Sequence, residues 1–587
     1  MCGIVGYAGG RKAAPIVFQC LKQLDYRGYD SAGLATFDGK KIHFKKDKGK
    51  LEDMEGKIDF SALPGSIGIG HTRWATHGIP NKKNAHPHLD CKKKVCLVHN
   101  GVIENYAVLK AALQSQGHKF ESDTDSEVIA HLIESKMEKE KSAEAAIKKA
   151  VAELKGAFAL AVLVEGEEKI FATRRYSPLV LGIGEDEFFC ASDVPAVLSF
   201  TKKFVFLEEE EFAVISSKGF SIEKNGKDTT RTPVEVEWTA EMAKRGGYPH
   251  FMIKEIEEQP QSVKQTLALD VKKAAEYAKG FGRIQTVSCG TSHHASLVFK
   301  YVTAKLGLAP VDAIIASEYA SGFSNQADGK TLVIAVSQSG ETADTLAAVR
   351  EAKKRGAKVL AITNVVGSSL AREADATLCT QAGPEISVVA TKTFVAQLAV
   401  IYSLAAEMAG DGRLAEKLKA LPSLIEKMLK KKERIEELSE KLSRKQDFFF
   451  IGRGLSFPVA LEGALKLKEI TYTHAEAYPA GELKHGPLSL LEKGVPVIAL
   501  APSDETLEKI KSNIQECKAR QAMMVVLSRD KEALKNADEA IEMPEVDELL
   551  SPFLYIIPLQ LLAYHVAVLR GADPDKPRNL AKSVTVE

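Results

Sequence analysis

Cys2 carries a nucleophilic thiol directly after the initiator methionine. A small second residue favours removal of the initiator methionine, which would leave Cys2 with a thiol and a free α-amine. An α-amine titrates near pH ~8 and can act as a base beside a nucleophile. The apolar, glycine-flanked residues 3–6 that follow are typical of a buried strand that a ligand can approach closely. These residues alone make a catalytic role for Cys2 a hypothesis.

Four polar clusters supply further side chains with catalytic or binding chemistry. They are residues 26–33, 71–78, 98–101 and 122–127. The ordinary interpretations are a hairpin turn for Asn100–Gly101 and a helix N-cap for the last cluster. Together with Cys2, however, they offer an Arg for a carboxylate, an acid for an α-ammonium and an Asn-Gly pair for an oxyanion. That combination predicts an amino-acid amide hydrolase.

These residues resemble the glutaminase domain of the N-terminal-nucleophile amidotransferases. The resemblance implies that Cys2 attacks the side-chain amide of glutamine with its own α-amine as base. It also implies an oxyanion hole formed by the Asn100 side chain and the Gly101 N–H group. The implied glutamine-binding residues are Arg73 for the carboxylate, Asp125 for the ammonium, Thr76 and His77 in the pocket, and Trp74 as a gate on the ammonia path.

The elements that must position these residues are predicted to be short strands with few helices. Strands are indicated at residues 67–70, 95–98, 157–164, 188–191 and 211–215, and helices at 14–24 and 126–135. This pattern predicts an α+β fold of stacked antiparallel sheets with helices outside them. The glutaminase resemblance implies, in particular, a four-layer αββα arrangement.

From about residue 274 the pattern changes to strand, glycine turn and helix. Residues 284–288 lead into Cys289-Gly290-Thr291-Ser292, and residues 331–336 lead into Ser337-Gln338-Ser339-Gly340. This α/β alternation predicts a doubly wound parallel sheet with ligands at the carboxyl ends of its strands. Such turns suit a phosphate, although ordinary N-capping is the competing interpretation. Since there is no GxGxxG and no P-loop lysine, the turns favour a phosphosugar and resemble the sugar isomerase (SIS) domain.

A second copy of this domain follows along the chain. Val333 corresponds to Val497, an offset of 164 residues, and the flanking motifs repeat at similar offsets. In the second copy Ser337-Gln338-Ser339-Gly340 is replaced by Ala501-Pro502-Ser503-Asp504, which removes hydroxyl and amide donors. A duplication that then diverged predicts one phosphate site, in the first copy.

The second copy carries its own polar residues on a predicted helix, 458–471. Lys466 and Glu469 lie three residues apart on one face, a spacing that by itself indicates a surface ion pair worth at most ~0.5 kcal/mol. An elaborate polar loop, 475–487, comes next. The closing residues, 577–587, would be described from composition alone as a frayed tail.

With these segments included, nearly the whole chain resembles the isomerising glutamine–fructose-6-phosphate aminotransferase family. The resemblance implies glutamine-dependent amination and isomerisation of fructose 6-phosphate to glucosamine 6-phosphate, with ammonia passed between two sites. It makes Glu469 the base that moves a proton between carbons 1 and 2, assisted by Lys466. His485 would promote ring opening and reach the neighbouring subunit, which implies a homodimer. Lys582 would form a Schiff base with the open-chain ketose.

The resemblance also implies which residues bind fructose 6-phosphate, and it implies neither a metal nor an organic cofactor. The binding residues are Thr291, Ser292, Ser337, Gln338, Ser339, Thr342, Val388 and Ala581. One position departs from the family, because Ala390 replaces a serine in Val388-Val389-Ala390-Thr391-Lys392. A related SIS-type amidotransferase acting on another ketose phosphate therefore stays an alternative.

Five segments are predicted from the changes of pattern. They are a glutaminase domain at 2–225, a linker at 226–271, a phosphosugar-binding SIS domain at 272–415, a second SIS domain at 430–570, and a tail at 571–587 that closes the active site. A chain of 587 residues is too long for one hydrophobic core, so several domains are expected.

Composition excludes several other classes of function. The net charge of +1 provides no field for nucleic acid or for an anionic membrane. No apolar run is expected to reach the ~20 residues that span a bilayer, and no secretion signal is recognised. The eight cysteines include no CxxC pair, which argues for a reducing cytoplasmic compartment without disulfides or a structural zinc site.

Two further alternatives are another kind of glutaminase-bearing enzyme and a regulatory protein. A phosphoribosyl-transferring or asparagine-forming amidotransferase would need a pyrophosphate or ATP signature after the linker, whereas a repeat is found there. A regulatory protein that senses sugar phosphates through paired SIS domains would not need Cys2, Glu469 and Lys582 together.

Overall fold

The computed structural model describes residues 2–75 and 77–585, and the chain divides into two compact units. The first unit holds the chain up to Lys244 together with Glu341–Ala343 and the segment from Ala581. The second unit holds the remainder. Thr76, one of the predicted glutamine-binding residues, lies outside the described residues.

Short apolar runs separated by polar turns form the strands of the first unit. They are β1 (Gly3–Gly9), β2 (Ser31–Phe37), β3 (Ile42–Lys48), β4 (Ile67–Arg73), β5 (His88–Leu89), β6 (Val95–Ile103), β7 (Gly156–Val164), β8 (Ile170–Arg175), β9 (Val180–Ile183), β10 (Glu187–Ala191), β11 (Lys203–Phe206), β12 (Phe212–Ser216), β13 (Gly219–Lys224), β14 (Lys227–Asp228) and β15 (Val234–Glu235). Over the described part of the chain they form two antiparallel sheets, ordered β15-β11-β9-β10-β1-β4-β2-β3 and β14-β13-β12-β8-β7-β6-β5.

The two sheets share one apolar core, and helices cover their other faces. Ile4 and Ile69 of the first sheet join Val98 and Ala161 of the second in that core. The helices of this unit are α1 (Ala13–Lys22), α2 (Leu51–Glu55), α3 (Tyr106–Ser115), α4 (Glu127–Met137) and α5 (Ala143–Glu153). α1 packs on the first sheet, while α3, α4 and α5 pack on the second. The predicted αββα arrangement is confirmed.

Asn100 and Gly101 lie inside β6 and form no hairpin turn. Asn100 pairs with Ala159, and Gly101 pairs with Phe158, in an antiparallel ladder that continues to Ile103. The turn interpretation was therefore wrong. Asn and Gly are both depleted in strand interiors. Their presence in the middle of β6 therefore indicates that these residue types serve a purpose other than strand stability.

The second unit contains two parallel sheets with the same strand order. Their strands are β16 (Arg283–Ser288), β17 (Val311–Ile315), β18 (Thr331–Ser337), β19 (Lys358–Thr363), β20 (Ala376–Cys379), β21 (Asp447–Gly452), β22 (His474–Pro479), β23 (Pro496–Ala501), β24 (Met523–Ser528) and β25 (Glu539–Glu542). Among the described residues the sheets are ordered β17-β16-β18-β19-β20 and β22-β21-β23-β24-β25. This shared order confirms the duplicated doubly wound domain.

The helices along the rest of the chain pack on these sheets and on one another. They are α6 (Phe251–Glu257), α7 (Gln259–Leu267), α8 (Lys272–Lys279), α9 (Gly290–Lys305), α10 (Ala316–Glu318), α11 (Ala343–Lys354), α12 (Ser369–Glu373), α13 (Lys392–Ala409), α14 (Gly412–Leu418), α15 (Leu421–Leu429), α16 (Lys432–Leu442), α17 (Ser456–Thr471), α18 (Leu507–Lys518), α19 (Lys531–Lys535) and α20 (Ser551–Leu569). α6 and α7 fall within the predicted linker, which is therefore a structured part of the chain.

α20 corrects one expectation from the sequence. The segment Glu548–Leu569 is long and apolar enough to cross a bilayer, so the statement that no apolar run approaches that length was wrong. However, 83% of its most apolar window is buried inside the protein. α20 packs against α15, α16 and α17, and a helix that is apolar on all sides fits such a central position.

The part of the tail that belongs to the second unit is anchored to the N-terminus of α6. The Asp575 carboxylate accepts the backbone N–H groups of Phe251 and Met252, each at 2.8 Å. A carboxylate at this position satisfies N–H groups that have no partner within the helix, and it interacts favourably with the helix dipole. Asp575 is 2% exposed, so the predicted tail segment 571–587 is anchored at this residue.

The close contact between α17 and α20 gives a stability prediction. A Cβ added at Gly463 of α17 would lie 2.4 Å from Leu559 Cδ1 and 3.2 Å from Leu559 Cβ. Gly463→Val should therefore lower the unfolding free energy of the second unit by about 1–3 kcal/mol, measured by calorimetry. Gly412→Val is the matched control, because the described residues leave its Cβ position in α14 open. Equal effects of the two substitutions would contradict the packing argument.

Candidate functional sites

Cys2 lies just before β1, against the end of β4. Its Sγ accepts the backbone N–H group of Trp74 at 3.2 Å and lies 3.4 Å from the Trp74 carbonyl oxygen. Arg27 Nε donates to the Cys2 carbonyl at 3.2 Å. Burial raises the pKa of the Cys2 thiol, and the Trp74 N–H group opposes that rise only in part. Cys2 therefore needs a nearby base to become a thiolate at neutral pH.

The Asn100 side chain reaches Cys2 in an orientation that a neighbouring histidine fixes. Asn100 Nδ2 donates to the Cys2 carbonyl at 3.0 Å and to Ser192 Oγ at 2.8 Å. His71 Nε2 lies 3.1 Å from Asn100 Oδ1 and 2.9 Å from the His99 carbonyl oxygen. Both of those oxygens only accept, so Nε2 carries the proton. His71 thereby holds the amide with its donors towards Cys2.

His71 is neutral in the folded protein. Burial lowers its pKa to about 3, which outweighs the contact with the His99 carbonyl that favours the protonated form. A neutral imidazole with its proton on Nε2 can donate to Asn100 across the pH range in which proteins normally work. The sequence suggested no role for His71 beyond its place in a polar cluster.

Gly101 occupies a position that no other residue fits. Its φ is +116°, a conformation that residues with a Cβ rarely adopt, and an added Cβ would lie 1.9 Å from the Ala157 carbonyl oxygen. The backbone at Gly101 therefore has a special conformation next to Asn100. Such a glycine lets a backbone N–H group face a ligand closely.

Arg73 and Asp125 are buried charges whose described partners leave capacity for a ligand. Arg73 Nη2 donates to the carbonyl oxygens of His77 and of Gly78, the latter at 3.1 Å. Arg73 Nη1 is buried and has no hydrogen-bond partner among the residues that the structure describes. Asp125 Oδ2 accepts the Ile103 N–H group of β6 at 2.8 Å. Arg73 is thus anchored on one side of its guanidinium and can bind a carboxylate with the other.

The remaining predicted glutamine-binding residues lie in the segment after β4. The Trp74 ring makes an edge contact with Tyr29, with centroids 5.6 Å apart. The His77 ring makes a similar contact with Tyr106 at 5.4 Å. Ala75 donates its N–H group to the Asp30 carboxylate at 2.8 Å, and this hydrogen bond holds the segment in place. Their roles towards a substrate stay predictions.

In the second unit, the two predicted phosphate turns meet at one edge of a sheet. They follow β16 and β18, which are adjacent and parallel, so their carboxyl ends coincide. Ser337 Oγ accepts the Gly340 N–H group at 3.1 Å, and Gln397 Nε2 donates to Ser292 Oγ at 3.0 Å. Gly340 has a φ of +65°, and an added Cβ would clash with Ser368 Oγ at 2.2 Å. This tight turn at a helix N-terminus suits an anion.

The second SIS copy has a different loop at the corresponding position. After β23, the Asp504 carboxylate accepts the Thr506 N–H and hydroxyl groups at 2.8 and 2.7 Å. A carboxylate at this place repels a phosphate. The single phosphate site in the first copy stays a prediction.

Lys466 is at the centre of an ion cluster that joins the two copies. Its Nζ lies 2.8 Å from Glu469 Oε2, 3.2 Å from Glu462 Oε1 and 2.9 Å from Thr291 Oγ1 of α9. The interpretation as a surface ion pair was wrong, because the Lys466 side chain is fully buried. Burial alone would lower the pKa of Lys466, but the carboxylates of Glu462 and Glu469 raise it above its ordinary value.

Glu462 and His294 were missed by sequence reasoning. Glu462 is fully buried, and its Oε2 lies 2.7 Å from His294 Nδ1 while its Oε1 accepts the Thr291 hydroxyl at 3.0 Å. Burial opposes ionisation of Glu462, but Lys466 and His294 hold its pKa below the ordinary value. The signal was the spacing of Glu462, Lys466 and Glu469, which repeats at four and three residues along one helix face.

Glu469 differs from its two neighbours in being partly accessible. Its side chain is 21% exposed, whereas Lys466 and Glu462 are at 0%. The cluster therefore has a closed end, at Glu462, and an open end, at Glu469. Of the three side chains, Glu469 is the one that a ligand can reach for proton exchange.

Other predicted sugar-site residues are placed as follows. Val388 is buried and donates its N–H group to the Asp575 carbonyl at 3.0 Å, and Ala390 is partly exposed in the same loop. His485 is exposed at the end of a 3-10 turn, Ala480–His485. Thr342, Ala581 and Lys582 belong to the first unit, so their relation to Glu469 stays a prediction.

Comparison with known proteins identifies both regions. Residues 71–199 match the family described as the glutamine amidotransferase domain. Residues 279–407 and 441–570 match the SIS domain.

Full-length relatives and one solved structure are also similar. The chain is 52% identical to the glutamine–fructose-6-phosphate aminotransferase [isomerizing] of Thermococcus kodakarensis and 50% identical to that of Pyrococcus horikoshii, over 100% of both chains in each case. The C-terminal domain of glucosamine-fructose-6-phosphate aminotransferase from Francisella tularensis covers 57% of this chain and is itself covered to 99%, with 41% identity and a TM-score of 0.54.

The contact between His71 and Asn100 predicts an effect on glutamine hydrolysis. His71→Ala removes the donor that orients the Asn100 amide, so we expect kcat to fall by about 10- to 100-fold with little change in KM. His71→Gln retains an N–H group near the position of Nε2 and should restore part of the rate. Measured rates of glutamate formation that are equal in His71→Ala and in the wild type would contradict this role. His43→Ala, at an exposed pair with Asp38, serves as the control.

The buried neutral His71 also predicts a pH dependence of stability. The unfolded chain binds a proton at His71 below pH ~6.5, whereas the folded protein does so only near pH 3. Stability is therefore lost as pH falls below ~6.5, by about 2 kcal/mol at pH ~5 for this one residue.

The measurement uses the two tryptophans, Trp74 and Trp238, which both lie in the first unit. Urea unfolding followed by their fluorescence at pH ~8 and ~5 should show a smaller loss of stability in His71→Gln than in the wild type. The same loss in both proteins would exclude His71 as a source.

Proposed function

Because the chain belongs to the isomerising glutamine–fructose-6-phosphate aminotransferase family, we propose a two-site mechanism based on Cys2 in one unit and on Glu469 in the other. The chain is an enzyme of this kind, and its substrates are glutamine and fructose 6-phosphate. The roles of individual residues, the product glucosamine 6-phosphate and the internal transfer of ammonia are parts of the proposal.

At the first site, Cys2 Sγ attacks the amide carbon of the glutamine side chain. The raised thiol pKa supports a role for the α-amine of Cys2 as the base that accepts the thiol proton. The oxyanion is stabilised by Gly101 N–H and by Asn100 Nδ2. To donate to the oxyanion, Asn100 Nδ2 gives up one of its two present acceptors. Arg73 Nη1 binds the substrate carboxylate, and Asp125 binds its ammonium. Ammonia leaves with the returned proton, and water then hydrolyses the thioester to glutamate.

At the second site, Glu469 moves the proton that converts the aminated ketose into an aldose. The observation that carries this assignment is the Lys466 cluster, since one buried cation holds a closed carboxylate and a partly exposed one. Lys466 stays protonated and stabilises negative charge that develops on the enediol-type intermediate. Glu462 keeps Lys466 charged and fixed in place.

The sugar is held at its phosphate and captured at its carbonyl. The turns with Ser292, Ser337, Gln338 and Ser339 bind the phosphate, with Thr342 completing the set. Lys582 condenses with carbon 2 of the open-chain ketose and releases water, and ammonia then displaces the lysine amine from that carbon. Ammonia must travel internally, because in neutral water it is mostly protonated and no longer a nucleophile.

Several further features belong to the same proposal. The exposed position of His485 supports a role at a neighbouring subunit's site in a homodimer. Eight free cysteines support a reducing, cytoplasmic compartment. The alternative raised by Ala390, an aminotransferase for another ketose phosphate, is not retained, because the full-length relatives are named for fructose 6-phosphate.

Two complementary variants test the division between the sites. With amide-labelled glutamine and fructose 6-phosphate, Cys2→Ala should make no labelled amino sugar but should still make product from added ammonium. Lys582→Ala should make no product from either nitrogen source while glutamate is still released. Cys379→Ala and Lys535→Ala are the matched controls. Labelled product from Cys2→Ala, or unchanged synthesis by Lys582→Ala, in mass spectrometry would overturn the assignments.

A further inference from the structure

A second set of reactive side chains lies in the first unit and has no part in the mechanism above. It consists of Cys91 between β5 and β6, His118 after α3, and His131 and Glu134 on α4. Their ligand atoms all lie within 4.8 Å of one another. We propose that these four side chains bind one zinc ion in a closed, structural site.

Four distances between the ligand atoms lie near those of a tetrahedral zinc site. Cys91 Sγ lies 3.5 Å from His131 Nδ1 and 3.9 Å from His118 Nδ1. Glu134 Oε2 lies 3.0 Å from His118 Nδ1 and 3.6 Å from His131 Nδ1. Bonds of about 2.0–2.3 Å in tetrahedral geometry place neighbouring ligand atoms about 3.3–3.6 Å apart. Small movements suffice to centre an ion among the four.

The surroundings hold His131 in the orientation that a metal ligand needs. Its Nε2 lies 3.5 Å from Glu127 Oε1, which leaves Nδ1 to face Cys91 and Glu134. Glu127 is itself fixed, because it accepts the N–H groups of Glu121 and Ser122 at 2.8 and 2.7 Å. A carboxylate behind a ligating histidine is the usual outer support of zinc sites.

A hydrogen-bonded cluster without metal explains only part of this arrangement. It accounts for the contact between His118 and Glu134, and for the Cys91 N–H group that Glu134 accepts at 3.2 Å. It does not account for a thiol directed at two imidazole nitrogens, since a thiol is a weak hydrogen-bond donor and acceptor. One thiolate, two imidazoles and one carboxylate suit zinc, whereas calcium and magnesium prefer oxygen ligands.

The position of the four residues indicates a structural role. Four protein ligands leave no open coordination position for a substrate, and exposed Cys91 gives the ion a path of entry. The ion would tie together the turn between β5 and β6, the segment after α3 and the middle of α4. β6 carries Asn100 and Gly101, and Asp125 lies just before α4, so the site stabilises glutaminase elements without touching substrate.

The sequence argued against such a site because it has no CxxC pair. The ligands are spread over residues 91, 118, 131 and 134, and only the last two are close along the chain. Their convergence depends on how α3 and α4 fold back onto β5 and β6.

The test measures metal in the full-length protein. Zinc content by mass spectrometry after dialysis should be one ion per chain, and Cys91→Ser and His118→Gln should each weaken binding at least tenfold. Cys379→Ser and His43→Gln should retain the ion. Cys2→Ala should also retain it, which excludes chelation by the thiol and α-amine of Cys2.

Substitution with cobalt provides a second measurement, an absorption spectrum that depends on the coordination geometry. Metal-free wild type with Co²⁺ should show the visible absorption of a tetrahedral ion and a thiolate-to-cobalt charge-transfer band. The band should be lost in Cys91→Ser and kept in Cys379→Ser. If Cys91→Ser does not fold, His118→Gln and the wild-type titration decide. A wild type without the band, or zinc binding unchanged in Cys91→Ser or His118→Gln, would overturn the proposal.

Discussion

A lysine ammonium in a protein core must be paired, and much of the second unit can be understood from that requirement. Lys466 is fully buried, so its desolvation has to be offset by Glu462, Glu469 and Thr291. Those partners lie on α17 of one SIS copy and α9 of the other. The two copies therefore have to pack with these helices in contact, and Gly463 permits α17 to approach α20 closely as well. In the proposed mechanism this makes an asymmetric site from a duplicated fold, with the phosphate turns in one copy and the acid–base residues in the other.

The cost of burying a charge also determines the protonation of buried groups in the first unit. Between its two sheets, a charged imidazole would be costly, and burial keeps His71 neutral. A neutral His71 can donate from Nε2, which orients the Asn100 amide and places its N–H groups at Cys2. Arg73 is a charged group in the same unit, and its Nη1 is one of the buried atoms that have no hydrogen-bond partner among the described residues. An unsatisfied buried donor costs free energy, and a substrate carboxylate bound at Arg73 Nη1 would supply the missing acceptor.

The Cys91 cluster and the glutamine pocket share their supporting elements. Glu127 at the start of α4 supports His131 on one side and holds the backbone of residues 121–122 on the other. Asp125 lies within that same segment and accepts an N–H group of β6. Rigid support of this kind matters because a catalytic group must be held closely in its productive geometry. The same well-anchored segment thus supports both the cluster and the pocket.

The sequence by itself determined the periodicities, and with them the stacked antiparallel sheets, the duplicated α/β domain and the identity of the polar residues. It also determined the family, because Cys2, the phosphate turns and the closing tail occur together along one chain. Only the tertiary structure decided which polar residues are buried together. Spacing made Lys466 and Glu469 a surface pair and Asn100–Gly101 a turn, and the structure reversed both interpretations. It also joined Glu462 to His294 and Cys91 to His131. The physical reason is that pKa, pairing and coordination depend on distances in space and on desolvation, which residues far apart in sequence acquire only when the chain has folded.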